Sequence, residues 1–181
     1  MRRIALFVIG VLLAAPASFA QDAYHLNPGD QVFIEVWNEE DMQREVVIMP
    51  DGNLSFPLAG QVRAAGLSAQ QLQDGITEAL SAYISSPVVT VSVTQMLGNT
   101  VYVIGQVNTP GVFVMNRPMT ALQALSLSGG FTTFADTKRI KIIRGEPGNE
   151  QVFRVNYSEL SAGDDLEHNR YLESGDVLIV P

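Results

Sequence analysis

The one tryptophan of the chain, Trp37, stands among carboxylates: Glu35 before it, and Glu39, Glu40 and Asp41 shortly after. An indole beside acids is a pairing that sugar sites use. The ring face stacks on the pyranose while two carboxylates exchange protons across the glycosidic bond. The same residues have a plainer reading, in which Trp37 ends a strand as a core or interface residue and the acids lie on a solvated turn. The plainer reading is preferred, because a glycosidase also needs a cleft that a chain of this size has little room to build. Other chemistries find still fewer residues. The two histidines, His25 and His168, come with no cysteine and no His-x-x-x-His spacing, and fall short of a zinc ligand set. No Gly-x-Ser-x-Gly elbow marks a serine hydrolase, and no glycine-rich loop with a lysine marks a phosphate site. No catalytic, cofactor-binding or metal-ligating residue is therefore assigned, and no cofactor is expected.

Behind these residues, the ends and the composition limit where the chain works. Arg2 and Arg3 precede a nearly unbroken apolar run, Ile4 to Ala15, which Pro16 interrupts. Ser18-Phe19-Ala20 then places small residues where a signal peptidase reads, predicting a cleavable signal peptide over 1–20. A spanning helix would need roughly twenty apolar residues, more than this run supplies. The lack of cysteine closes the bacterial lipoprotein route and excludes disulfides. Without Arg2 and Arg3, nine of the 11 basic residues remain against 19 acidic ones, a charge near −10. That balance argues against nucleic acid and against an anionic membrane surface, both of which attract basic patches.

The remaining chain alternates short β-like runs with a few helices. Val32 to Trp37 alternates as a strand does, and Glu45 to Met49 and Asn53 to Phe56 flank Pro50-Asp51-Gly52, which reads as a hairpin turn. Ser68 with Gln71 forms a capping-box signal ahead of Leu72, Ile76, Ala79, Leu80 and Tyr83, an apolar helical face that Pro87 stops. Val88 to Val93 alternates again. Beyond a junction at Met96 to Asn99 come a strand at Val101 to Ile104, a turn at Asn108 to Gly111 and a return strand at Val112 to Val114. A helix capped by Thr120 and Gln123 should bury Leu122, Leu125 and Leu127 before Gly129-Gly130 closes it. Strands follow at Arg139 to Arg144, Gln151 to Val155 and Val177 to Val180, with a helical turn at Tyr157 to Leu160. One motif occurs twice. Leu26-Asn27-Pro28-Gly29-Asp30 opens the first strand and Leu172-Glu173-Ser174-Gly175-Asp176 the last, each a Leu-x-x-Gly-Asp turn leading into an apolar strand. The pattern supports an α+β chain of two units, 21–97 and 98–181, the second with the make-up of a β-grasp.

The ordered motifs carry a family resemblance. Leu26 to Trp37, Met49 to Gly60, Ala65-Gly66-Leu67-Ser68 with its helix, and Pro87 to Val91 together resemble the polysaccharide biosynthesis/export domain. Val103 to Gly111, the Thr120 to Leu125 helix, Ser128-Gly129-Gly130 and Leu172 to Pro181 resemble the SLBB domain, a soluble-ligand-binding β-grasp. The resemblance implies a Wza-type outer-membrane polysaccharide export protein of a Gram-negative bacterium. Such a protein assembles as a homo-oligomeric ring in the periplasm, works with an inner-membrane polysaccharide co-polymerase and moves glycan without catalysing a reaction. Against that pattern this sequence has no lipidated cysteine, one SLBB domain, and an end at Val180-Pro181 directly after a strand. The expectation is a short, unlipidated periplasmic member that needs a separate outer-membrane β-barrel. A monomeric periplasmic protein that binds glycan or another soluble ligand is the alternative. The Pro28-Gly29-Asp30 turn, Trp37 and the Gly105 to Gly111 hairpin are candidate subunit contacts, although their glycines and prolines also serve simply to shape turns.

Overall fold

The structure, a computed structural model, describes residues 23–145 and 147–181; the expected signal peptide, 1–20, lies outside them. The first unit is built around β1 (Gln31–Val36), whose alternate residues Val32, Ile34 and Val36 are buried. β1 is the centre of an antiparallel sheet, flanked by β2 (Arg44–Val47) and by β5 (Val89–Gln95). Between them the chain forms a separate hairpin, β3 (Asn53–Phe56) and β4 (Gly60–Arg63), and helix α1 (Ala69–Leu80), which packs on β5. Helix α1 starts as its sequence dictates. The Ser68 hydroxyl accepts from the Gln71 N–H (3.2 Å) while the Gln71 amide oxygen accepts from the Ser68 N–H (2.9 Å). Its Leu72, Ile76 and Leu80 are buried against the β1–β5 face and the β3 hairpin, each contributing about 1.5–3 kcal/mol of apolar burial.

Three local expectations are corrected here. Gly52 does close a turn, its N–H donating to the Met49 carbonyl, but the strands on either side do not pair with each other. β2 is taken by β1, and β3 finds its partner in β4 across Pro57-Leu58-Ala59, so the hairpin lies one turn later than Pro50-Asp51-Gly52 suggested. Helix α1 stops at Leu80, well before Pro87, and leaves Tyr83 two-thirds exposed instead of on the buried face.

The second unit carries β6 (Thr100–Gly105), β7 (Gly111–Val114), α2 (Ala121–Leu127), β8 (Ile140–Arg144), β9 (Gln151–Val155), α3 (Tyr157–Ala162) and β10 (Val177–Val180). Its five-stranded sheet runs β7-β6-β10-β8-β9, with β10 parallel to β6 and every other pair antiparallel. The unit's first and last strands thus lie side by side in the middle, the β-grasp arrangement, and the two units together make the chain α+β. Helix α2 presses Ala121, Ala124 and Leu125 onto Val101, Val103, Ile142, Leu178 and Val180 of the sheet. Leu127 is 55% exposed, because the small Ala121 and Ala124 let the helix sit close to the sheet on a face that turns Leu127 away. Among the described residues no helix is long and apolar enough to cross a membrane.

The repeated motif folds twice into one turn. In each copy the leucine is buried, the glycine has a positive φ (94° and 89°) and the aspartate is fully buried. Asp30 Oδ2 accepts from the Asn27 N–H (2.8 Å), as Asp176 Oδ2 accepts from the Glu173 N–H (2.9 Å). The glycine N–H donates to a neighbouring strand, Gly29 to Ile48 O and Gly175 to Thr100 O, both at 2.8 Å. Each aspartate carbonyl then accepts from that same neighbour, Asp30 from Ile48 N–H and Asp176 from Tyr102 N–H, both at 2.9 Å. The motif is therefore a device that starts a strand and locks its register against the next one. Asp30→Ala and Asp176→Ala each remove a buried acceptor, and each should lower the unfolding free energy by about 3 kcal/mol in urea titrations. The exposed Asp164→Ala should stay within about 0.5 kcal/mol of wild type; matching midpoints for all three variants would refute this role.

Candidate functional site

The two turns do not stand apart. Asp30 uses its second oxygen, Oδ1, to accept from the N–H of Gly98 (2.8 Å) in the segment joining the units, and Ser174 of the other turn donates to the carbonyl of the same Gly98 (2.9 Å). Beside this bridge opens a cleft of about 720 Å³. Its walls include Tyr24, His25 and Asn27 from the first unit, Asn99 from the junction, and Arg117, Glu173 and Ser174 from the second. The walls are positioned by backbone geometry. Asn99 is held to Met115 by two bonds: its carbonyl accepts from the Met115 N–H (2.7 Å), and its side-chain amide donates back to the Met115 carbonyl (2.6 Å), while Thr100 continues into β6.

Electrostatics in the cleft follow from the buried acids beneath it. The Tyr24 hydroxyl donates to Asp30 Oδ2 (2.5 Å) and accepts from Asn27 Nδ2 (3.0 Å). Burial first, and then the bond to the Asp30 carboxylate, push its pKa well above the ordinary 10.0. Asp176 is gripped by Arg144 through both oxygens, Nε to Oδ1 (2.8 Å) and Nη2 to Oδ2 (2.7 Å), and Arg144 also meets Glu173 and donates to the Tyr171 carbonyl. The bond to Asp176 raises the Arg144 pKa against the opposing effect of burial. The cleft thus offers amides, hydroxyls, the His25 imidazole, one guanidinium and one carboxylate, set among the apolar Met96, Met115, Pro118 and Leu172. The Ser174 hydroxyl donates to the Gly98 carbonyl, and the Tyr24 hydroxyl to a carboxylate that Asn27 and Gly98 also engage, so both hydroxyls serve bonds that hold the junction. The arrangement can hold a polar ligand by hydrogen bonds.

The structure leaves the residues that suggested sugar chemistry outside its hollows. Trp37 is 68% exposed and belongs to neither core, which removes the core part of its plainer reading and leaves the interface part. Glu35 lies on the outward side of β1, and Glu40 and Asp41 sit on an exposed 3₁₀ turn, Glu40–Met42. None of these residues lines the junction cleft or two smaller hollows, one beside α2 and α3 and one along the end of β5. His25 lines the cleft, whereas His168 bonds Asp165, with Glu167 bringing a third possible ligand atom within 4.8 Å. Sequence spacing missed that trio because a 3₁₀ turn, Leu166–His168, brings the three together. It also missed Tyr24 and Arg144 as partners of the buried acids. The repeated turn was the signal that pointed to both.

Comparison with known proteins places each half. A profile described as polysaccharide biosynthesis/export protein matches residues 19–94, and one described as SLBB domain matches residues 99–180. The EPS I polysaccharide export outer membrane protein EpsA of Ralstonia solanacearum is 37% identical over 101 residues, 55% of this chain and 27% of its own length. The polysialic acid transport protein KpsD of Escherichia coli is 32% identical over 108 residues, 59% of this chain and 19% of its own. The exopolysaccharide production protein ExoF of Rhizobium meliloti is 28% identical over 139 residues, 69% of this chain and 32% of its own. The chain therefore spans about a third or less of the length of these relatives.

The Tyr24 bond has a measurable sign. A phenol whose folded pKa is raised favours the folded state fully below its ordinary value of 10.0, and that contribution is lost as pH climbs past it. Phenolate absorbance assigned to Tyr24, taken as wild type minus Tyr24→Phe, should therefore appear only above pH 10 and together with alkaline unfolding. A difference curve centred at 10 in folded protein would show that the hydroxyl is not held by Asp30.

Proposed function

The chain belongs, half by half, to the polysaccharide biosynthesis/export and SLBB domain families, and from that premise we propose that it is a periplasmic component of a machine exporting capsular or exopolysaccharide. The observation that carries the reading is the succession of the two domains in one order over almost the whole of 19–180, with relatives named for polysaccharide export, transport or production. The family consists of export proteins rather than enzymes, which agrees with a junction whose hydroxyls are committed to structural bonds. In finer terms, the chain acts as a ring-forming adaptor built of copies of itself. It faces an inner-membrane polysaccharide co-polymerase on one side and a separate outer-membrane β-barrel on the other. The domain boundary we adopt, after residue 97, sets Gly98 at the start of the second unit. Exposed Trp37 and the Gly105 to Gly111 hairpin fit surfaces that meet neighbours.

A second reading draws on the junction cleft. A monomeric periplasmic protein that captures a glycan or other soluble ligand there would use the amides and hydroxyls of its walls. Sizing the purified protein with and without oligosaccharide separates the two, since this reading requires a strict monomer that binds.

Deleting the gene should abolish secreted or surface polysaccharide, with the full chain restoring it; unchanged polysaccharide in the deletion strain overturns the export reading. A Glu39→Gln/Glu40→Gln/Asp41→Asn variant should restore export as well as wild type does, because these acids lie outside the cleft. Failure of this folded variant to restore export would reopen a role in glycan chemistry.

A further inference from the structure

Both sheets are covered on one face only, and their open faces differ in character. On the five-stranded sheet, register lines up an outward row across all five strands: Val112 beside Tyr102, then Val177, Ile143 and Val152. Val112, Tyr102 and Val152 are exposed, and a second row runs from exposed Ile104 through Ile179 to Lys141 and Arg154. The named residues of this face include two bases and no acid, on a chain of net charge −8. An apolar row that crosses a whole sheet is the kind of surface that a partner covers.

The open face of the three-stranded sheet has the opposite make-up. Glu45, Phe33 and Ser92 form its middle row, Val47 lies beside Gln31, and Glu35 lies beside Thr90. It carries two acids and no base, with exposed Val47 for apolar contact and exposed Trp37 just past the strand end.

We propose that these two faces meet between copies of the chain, the Phe33–Glu35–Glu45 face of one copy against the Tyr102–Lys141–Arg154 face of the next. The inference rests on the assembly part of the export reading and names its contact. The occupant is a second copy because the complementary charge and apolar surface are both carried by this chain, and among the described residues nothing of the same chain covers either face. Glu35 and Glu45 then oppose Lys141 and Arg154, while Phe33 and Val47 meet the apolar row. A contact between two different faces leaves one of each free at the ends, so it propagates from copy to copy and closes into a ring where the rotation allows. Two basic faces packed on each other would instead bring like charges together.

Sedimentation of the purified full chain tests this, with thermal melts confirming that each surface variant is folded. Lys141→Glu/Arg154→Glu and Glu35→Lys/Glu45→Lys should each weaken self-association about tenfold or more. An equimolar mixture of the two should recover it, since every junction can again pair opposite charges. The cysteine-free background allows a direct check. Ser92→Cys/Tyr102→Cys should form an oxidised ladder of multimers, and Tyr102→Cys alone should not. Dimers from Tyr102→Cys alone, or charge variants that assemble as well as wild type, would overturn the proposed contact. A wild-type chain that stays monomeric at every concentration would also overturn it. Loss of polysaccharide in the deletion strain would leave the export reading standing in each of those cases.

Discussion

A single residue, Gly98, is held through both of its backbone polar groups by the two copies of the Leu-x-x-Gly-Asp turn. Its N–H goes to Asp30 and its carbonyl receives Ser174. The approach is so close that a Cβ at residue 98 would stand 2.1 Å from the Pro28 carbonyl oxygen, so only glycine fits. Asp30 is fully buried, and its two oxygens serve three donors, Tyr24, Asn27 and Gly98. A buried carboxylate is tolerated only when its lone pairs are filled in this way. The condition ties the first strand of one sheet, the junction and the turn before the last strand of the other sheet into one arrangement. The cleft walls inherit their positions from it.

Much of this was legible in the sequence, and the reasons differ by element. Capping boxes are local, and Ser68 with Gln71 fixed the start of α1 to the residue. Alternation is local too, so Val32, Ile34 and Val36 were identifiable as an inward row. The repeated motif was visible, although its meaning depended on partners far away in the chain. Strand partnership was not legible. Nothing around Pro50-Asp51-Gly52 tells β3 to pair forward with β4 instead of back with β2, because both choices satisfy local turn chemistry. The Arg144–Asp176 pair is likewise a product of sheet order, which sets β8 beside β10. Leu127 illustrates a different limit. Helical spacing finds an apolar face, but Ala121 and Ala124 decide how close the helix lies and which leucine is left over.

The residues of the candidate site were hard to read for a related reason. Catalytic sites concentrate unusual residues at short spacings, and such signals are what sequence motifs capture. Here the hydrogen-bonding groups of the cleft are ordinary asparagines, a serine and a tyrosine brought together by folding. The open sheet faces are made of alternate residues whose partners lie on other strands. Trp37, the residue most suggestive of chemistry, turned out to be an exposed aromatic at a strand end, where its area serves contact better than catalysis.

The position of β10 has a kinetic side. It is the last strand of its sheet in sequence, yet it lies at the centre, pairing with β6 on one side and β8 on the other. Before β10 docks, the β7-β6 and β8-β9 hairpins have no edge in common, and the interior residues Leu178 and Val180 are missing from the core they complete. Pairing Tyr102 with Val177 is a long-range contact, so loop closure must be met before the pairing is rewarded. The sheet and core of the second unit are therefore completed only by its final strand, which joins two hairpins that share no other edge.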